Sequence, residues 1–515
     1  MQATATTVTL TGLDAHLVRV EVDSARGLPT FQLVGLPEAA VRESRVRVRA
    51  ALRRLDIDLN EWVITVNLAP AYLRKAGSAF DLAIALATLG ALERLDPRSL
   101  EGMVVLGELS LDGDLRPVRG VLPALIGARE RGYDAAIVPE GNGPEAAAIT
   151  GVDCLVATRL EDVVDHLRGE GALPFAEARS TTRPLLESAI DLADVRGQHA
   201  ARRALEVAAA GEHPLLMVGP PGAGKTMLAR RLPTLLPSMT DEESLAVTAI
   251  HSVAGLLRSD DGLVRHRPFR APHHTLSAAA LLGGGEPVRP GEMSLAHHGV
   301  LFLDELLEFR RHVLDGMRQP LESGEVSICR ARYRATFPAR PLLVSAVNPC
   351  PCGYFGDPRR ACRCSPDHLR RYRARLSGPL LDRIDLQLQL PAVDLDELSG
   401  TPGEPSAVVR ARVGQARLIQ HARRDAGETS TPYNAALTRA DLDRVAAPDA
   451  EGQRLLRCAV EQLGLSARAY VKLLRVARSV ADLAGEDAVR SHHLAEAIQA
   501  RSLDHHQAQS FAQAG

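Results

Sequence analysis

Lysine is almost missing from this chain. Of its 61 basic residues only Lys75, Lys225 and Lys472 are lysines, so nearly all positive charge is carried by arginine. A lysine in such a background fits a position where a compact ammonium serves and a planar guanidinium does not. No apolar run approaches the roughly 18 residues of a membrane helix, which excludes a helical span. The opening residues Met1 to Thr7 lack the basic stretch and apolar core of a secretory leader, so a cytoplasmic protein with no membrane partner is expected. The net charge is −2, which offers no general attraction to a polyanion, and any nucleic-acid reading must rest on local charge. Three of the seven cysteines, Cys154, Cys329 and Cys458, are scattered; the other four fall within one short stretch. In a reducing compartment a cluster suggests metal before disulfides. At 515 residues the chain is too long for one core, and about three domains are expected.

The most informative stretch is Leu215 to Thr226, four apolar residues running into Gly219-Pro220-Pro221-Gly222-Ala223-Gly224-Lys225-Thr226. This is the Walker A spacing. Gly222 and Gly224 let the backbone bring its N–H groups against phosphate oxygens, and the helix that follows points its partly positive N-terminus at the same anion. Lys225 neutralises the outer phosphates and Thr226 offers a hydroxyl to Mg2+. A second apolar strand, Gly299 to Leu303, ends in Asp304 and Glu305, a Walker B pattern: Asp304 to hold the magnesium through a water, Glu305 to activate the attacking water. A third, Leu342 to Val347, ends at Asn348, whose amide can orient that water.

The first 170 residues mix strand-like stretches, Leu17 to Val22 and Val63 to Leu68, with a helical pattern over 79–92, and predict a mixed α/β domain. The segments Leu73 to Asp81 and Gly107 to Gly113 resemble the fold shared by Lon-type proteases and related non-protease domains. In that resemblance the nucleophile position falls on Ala79 and the catalytic lysine position on Leu122. Neither residue can act, and a pairing of Ser78 with Lys75 is the one peptidase alternative left. The expected domains are therefore 1–170, Lon-like and not a peptidase; 171–193, a linker rich in charge, Gly, Ser, Thr and Pro; 194–395, the ATPase core; and 396–515, a helical lid.

These motifs in this order resemble the AAA+ ATPases. More closely, Phe269 to Thr275, Gly283 to Gly285, Pro290 to Glu292, Leu295 to Gly299 and Arg318 to Val326, with the cysteine cluster, are similar to the ComM family, also called YifB, within the magnesium-chelatase-like group. The resemblance covers essentially the whole chain. It implies an α/β fold with a P-loop core, an α-helical lid and a Lon-like (S5-like) front domain, assembled as a homo-hexamer. It implies sensor roles for Asn348 and, from the lid, Arg468; it places Gly197-Gln198 beside the adenine; and it makes Arg383, in Leu380-Leu381-Asp382-Arg383-Ile384-Asp385, an arginine finger reaching a neighbouring subunit. The implied activity is an ATP-driven DNA helicase or translocase promoting branch migration in recombination or natural transformation. The competing reading is a remodelling ATPase acting on a protein partner.

Local charge supports DNA, single-stranded or branched. Residues 318–375 hold twelve arginines against four acids, an excess of eight positive charges in a chain whose total is −2. Read as one strand of a hairpin, residues 326–337 put Arg330, Arg332 and Arg334 on one face, suited to following a phosphate backbone. Cys350, Cys352, Cys362 and Cys364 form two thiolate pairs, enough for a structural Zn2+. The pairs His273-His274 and His297-His298 are given no role.

Overall fold

The alternation of Val18, Val20 and Val22 builds the first sheet of the computed structural model, which describes residues 1–178, 190–330, 333–357, 359–375, 378–392, 400–463 and 465–501. Arg332, most of the expected linker, the expected 395/396 boundary and everything past residue 501 lie outside the described residues, as does the side chain of Arg330. All three valines are buried in one apolar cluster with Ile64, Val66 and Leu68, because residues two apart in a strand share a face. The sheet has seven strands in the order Thr30–Val34, Trp62–Ala69, Asp14–Arg26, Gln2–Thr11, Met103–Val105, Ala135–Pro139, Asp153–Ala157. Helices Ala39–Arg54 and Asp81–Ala91 cover one part of it, and helix Val121–Arg129 another.

The second sheet has five strands in the order Phe269–Arg270, Val300–Leu303, Leu342–Val347, Leu215–Val218, Leu386–Gln389, each pair parallel. Its three central strands are apolar but for the buried Ser345 because both faces are covered, which is what a parallel sheet requires. Leu215, Met217, Phe302, Val344 and Ala346 face one cluster, shared with lid helices; Leu216, Val218, Leu301, Leu303 and Leu343 face another. The lid is helical, from Ser406–Asp425 through Ala467–Ala484 to Ser491–Gln499. The chain is thus α/β, an AAA+ core with a helical lid behind a Lon-like domain. Among the described residues no helix is long and apolar enough to cross a membrane.

One expectation fails. Residues 326–337 are not one strand but most of a hairpin, Glu325–Arg330 paired antiparallel with Tyr333–Pro338. Arg330 pairs with Tyr333 and Arg334 with Cys329, so Arg330 and Arg334 occupy successive positions of the ladder, which alternate between faces, and the two do not share a face. The inner face is Val326, Ile328, Ala335 and Phe337, buried in the second cluster. Arg334 is exposed.

Candidate nucleotide site

Because the five strands run the same way, the residues that end three of them meet at one edge of the sheet, where ligands of parallel α/β sheets bind. Val218 leads into the glycine loop, Leu303 into Asp304 and Glu305, and Val347 into Asn348. Gly222 and Gly224 take the left-handed conformation, φ 82° and 78°, and Gly224 caps helix Lys225–Leu235. Gly219 has a different reason: a Cβ there would lie 2.8 Å from the Leu390 carbonyl.

The side chains of the three strand ends are already in contact. Lys225 Nζ donates to the carbonyls of Gly219 at 2.6 Å and Pro220 at 3.0 Å, and to Asn348 Oδ1 at 3.0 Å. Burial holds its ammonium below the ordinary lysine range, against the opposing pull of Asp304 and Glu305. Thr226 Oγ1 donates to Asp304 Oδ2 at 2.8 Å, so the two expected magnesium ligands are adjacent. These donors and acceptors fit a magnesium nucleotide: a hydroxyl beside a carboxylate for the cation, and a buried ammonium at the mouth of an N–H-lined turn.

Glu305 sits at φ 51°, a conformation costly for a residue with a Cβ and common at functional sites. Its Oε2 lies 3.4 Å from His274 Nδ1. Sequence reasoning gave His274 no role, since only the tertiary fold brings it to Glu305. Gln198, also left-handed at φ 45°, donates to the loop carbonyl of Ala223 at 3.0 Å, while its Oε1 is buried without a hydrogen-bond partner.

The two arginines lie elsewhere. Arg383 turns to Glu322 and to the Arg318 carbonyl, 3.3 Å away. Arg468 Nη1 binds Asp382 Oδ2 at 2.9 Å. Both therefore sit by the segment that enters strand Leu386–Gln389, at the strand-start edge of the sheet, opposite the edge that carries the glycine loop of the same chain.

The cysteines do converge. Sγ separations are 3.3 Å for Cys350 to Cys352, 3.6 Å for Cys352 to Cys362 and 3.7 Å for Cys350 to Cys362, and all four ligand atoms, Cys364 included, lie within 4.8 Å of one another. Four sulfurs at about 2.3 Å from a tetrahedral zinc are about 3.8 Å apart, so the set fits that ion. The Phe355 N–H donates to Cys350 Sγ at 3.2 Å and the Cys364 N–H to Cys362 Sγ at 3.4 Å, contacts that stabilise thiolate. A second grouping, Glu486, His492 and His493, does not fit: the Arg490 N–H donates to His493 Nδ1, which puts the ring proton on Nε2, the atom facing Glu486.

Two arrangements suggest hydrolase chemistry without supporting it. Ser479, His213 and Asp385 form a hydrogen-bonded row at 2.7 and 2.8 Å, but all three are buried, and they tie the lid to the sheet. In the Lon-like domain Ala79 and Ser78 line a cavity of about 430 Å³. Lys75 donates to the Pro70 carbonyl instead of meeting Ser78, and Leu122 is buried.

Comparison with known proteins agrees with this architecture. The family described as magnesium chelatase, subunit ChlI, matches residues 191–398; subunit ChlI of Mg-chelatase matches 20–142, and the ChlI C-terminal family 403–501. The chain is 45% identical over 504 residues to the competence protein ComM of Haemophilus influenzae, covering 96% of each. It is 43% identical over 495 residues to the uncharacterized protein YifB of Escherichia coli, again covering 96% of each. An archaeal Lon protease of Methanocaldococcus jannaschii is 25% identical over 149 residues, 29% of this chain and 22% of the relative.

Proposed function

Since the chain belongs to the ComM/YifB family of magnesium-chelatase-like AAA+ ATPases, we propose that it is a hexameric motor that spends ATP on moving or unwinding single-stranded or branched DNA. The observation that carries the ATPase half is the contact of three strand ends, Lys225 with Asn348 and Thr226 with Asp304. In this reading Lys225 exchanges its carbonyl partners for phosphate oxygens, and the N–H groups around Gly222 and Gly224 take the rest of that charge. Glu305 accepts a proton from the attacking water, which Asn348 orients. Magnesium held by Thr226 and Asp304 supplies the charge that offsets the phosphates. Arg383 and Arg468, together at the far edge, serve the site of the next subunit, which puts each hydrolysis event at a subunit boundary. Zinc in the four-cysteine set would be structural, adding folding energy on the order of 10 kcal/mol.

DNA is favoured as the substrate by the arginine excess of residues 318–375, a region that flanks Asn348 on both sides in sequence and includes the exposed Arg334. One relative, moreover, is named a competence protein. ATP turnover measured with and without forked or single-stranded DNA tests the assignment. DNA is expected to stimulate turnover and to bind less tightly as salt rises, with a linear log–log dependence. Turnover indifferent to DNA, with no salt-dependent binding, would overturn it in favour of a protein-remodelling ATPase.

A further inference from the structure

The stretch after Asn348 raises a structural question that its cysteines answer. Among the described residues of 350–371 only Cys350 and Gly353 are buried, so this lobe has no apolar core. The sulfur cluster is what gathers it. The lobe displays mostly positive charge: Arg359, Arg360, Arg363, Arg370 and Arg371 are all exposed, against Asp357 and Asp367 alone, and Phe355 is 43% exposed. The Arg360 guanidinium lies over the Tyr354 ring, 5.1 Å from its centroid, and donates to the Tyr354 hydroxyl at 2.8 Å. The result is an arginine–tyrosine pair next to a half-exposed phenylalanine on a positively charged lobe.

We propose that this cysteine-gathered lobe is a binding site for single-stranded nucleic acid, with arginines on the phosphates and a base stacked on Phe355. The inference rests on the DNA reading and deepens it by naming where the strand is held. A positive surface interleaved with exposed aromatic rings is how proteins bind unpaired strands, because every base has a face to stack and every nucleotide a charge. A duplex keeps its base faces covered and leaves the ring unused. The lobe is also joined to the chemistry. Gly353, at φ 86°, lies against the glycine loop so closely that a Cβ would come within 2.6 Å of Pro221 Cδ. Cys350 is two residues from Asn348, so a strand pulling on the lobe bears on both sides of the nucleotide.

The test is fluorescence anisotropy of the full chain with a labelled thymidine oligonucleotide over a salt series. In the combined variant Arg359→Ala, Arg360→Ala, Arg363→Ala the slope of log affinity against log salt is expected to be shallower by about 2, three contacts at about 0.7 each. The corresponding Lys variant is expected to keep the wild-type slope, because the slope counts phosphates neutralised and an ammonium carries the same charge. Phe355→Ala is expected to weaken binding on the order of tenfold at every salt concentration with the slope unchanged. Zinc content equal to wild type in each variant shows that the lobe still folds. If the wild type binds and the alanine and Phe355 variants match it in slope and affinity, the lobe proposal is overturned while the DNA reading stands. A slope lost equally in the Lys variant also overturns it. A wild type that does not bind even at low salt defeats the DNA reading, and this proposal with it.

Discussion

His297 is buried just before the Walker B strand, and its proton balance gives the protein an acid-sensitive joint. Its Nδ1 accepts the Arg340 N–H at 3.1 Å, and its ring centroid lies 3.9 Å from that of His298. Burial, then the neighbouring His298 and Arg340, pushes the imidazole down from 6.5 to about 3. An unfolded chain takes up this proton near pH 6.5, whereas the folded chain refuses it until about pH 3. Stability from this group is therefore complete above the unfolded value and is lost as pH falls towards the folded one, since the unfolded state binds more protons in that window. At about pH 5, 1.5 units into it, the loss is roughly 1.5 × 1.36, or about 2 kcal/mol. Urea unfolding of wild type and His297→Gln between about pH 7.5 and 5 measures it, the glutamine oxygen replacing Nδ1 as acceptor. Other buried histidines, His251 and His298 among them, are also held low by burial and add a slope common to both proteins. The wild type is expected to lose about 2 kcal/mol more than the variant over this range. Parallel profiles would refute the reasoning. Because Arg340 follows the arginine hairpin and the His298 N–H donates to its carbonyl at 3.2 Å, ATP turnover should decline over the same pH range.

The contact of His274 with Glu305 predicts a change in rate. Both side chains are partly open to solvent, so the pair is worth at most about 1 kcal/mol, and His274→Ala is expected to free Glu305 and raise ATP turnover without DNA about two- to fivefold. A fall in turnover would show that His274 supports catalysis instead of restraining it. Between the domains, Ser252 donates to the buried Glu145 carboxylate and accepts the Gly120 N–H at 3.0 Å. Glu145 is held above the usual carboxylate range by burial, partly offset by Ser252, the Leu122 N–H and Asn142. Ser252→Ala is expected to cost about 2 kcal/mol in urea unfolding, because two buried partners lose their match; an unchanged midpoint would count against the interface.

What the sequence disclosed follows from where water is absent. The strands that lead into Gly219, Asp304 and Asn348 are covered on both faces, so they are apolar but for Ser345, and the residue after each marks the sheet edge. That made the nucleotide site legible as three separate sentences in the chain. The pairing of His274 with Glu305 was not legible: 30 residues intervene, and a histidine in a loop carries no sign of its partner. The hairpin was misread for a similar local reason. Between Arg330 and Tyr333 the sequence has none of the Gly, Asn or Asp residues that announce a two-residue turn, so the arginines at 330, 332 and 334 looked like one side of a single strand. The partners of Arg468 and Arg383 depend on parallel strand order, which no local pattern contains.

The lost peptidase residues leave the front domain a mechanical part, and its contacts say which. Its first turn reaches the middle of the arginine hairpin: a Cβ on Gly12 would meet Ala335 Cβ at 3.1 Å, and Leu13 packs into the cluster that holds Val326, Ile328 and Phe337. A second contact, Glu145 with Ser252, grips helix Asp241–Ala254. A third runs from Arg74 to Glu286, beside the cavity that in a Lon-type enzyme would hold substrate. Ser252 precedes the Walker B strand and the hairpin follows it, so the front domain holds the chain on both sides of Glu305. One buried attachment holds the hairpin itself and the other the helix Asp241–Ala254 that precedes the Walker B strand. A hairpin so anchored can transmit a shift at Glu305 or Asn348 to whatever the arginines hold, which is the task that the proposed DNA motor would set for it.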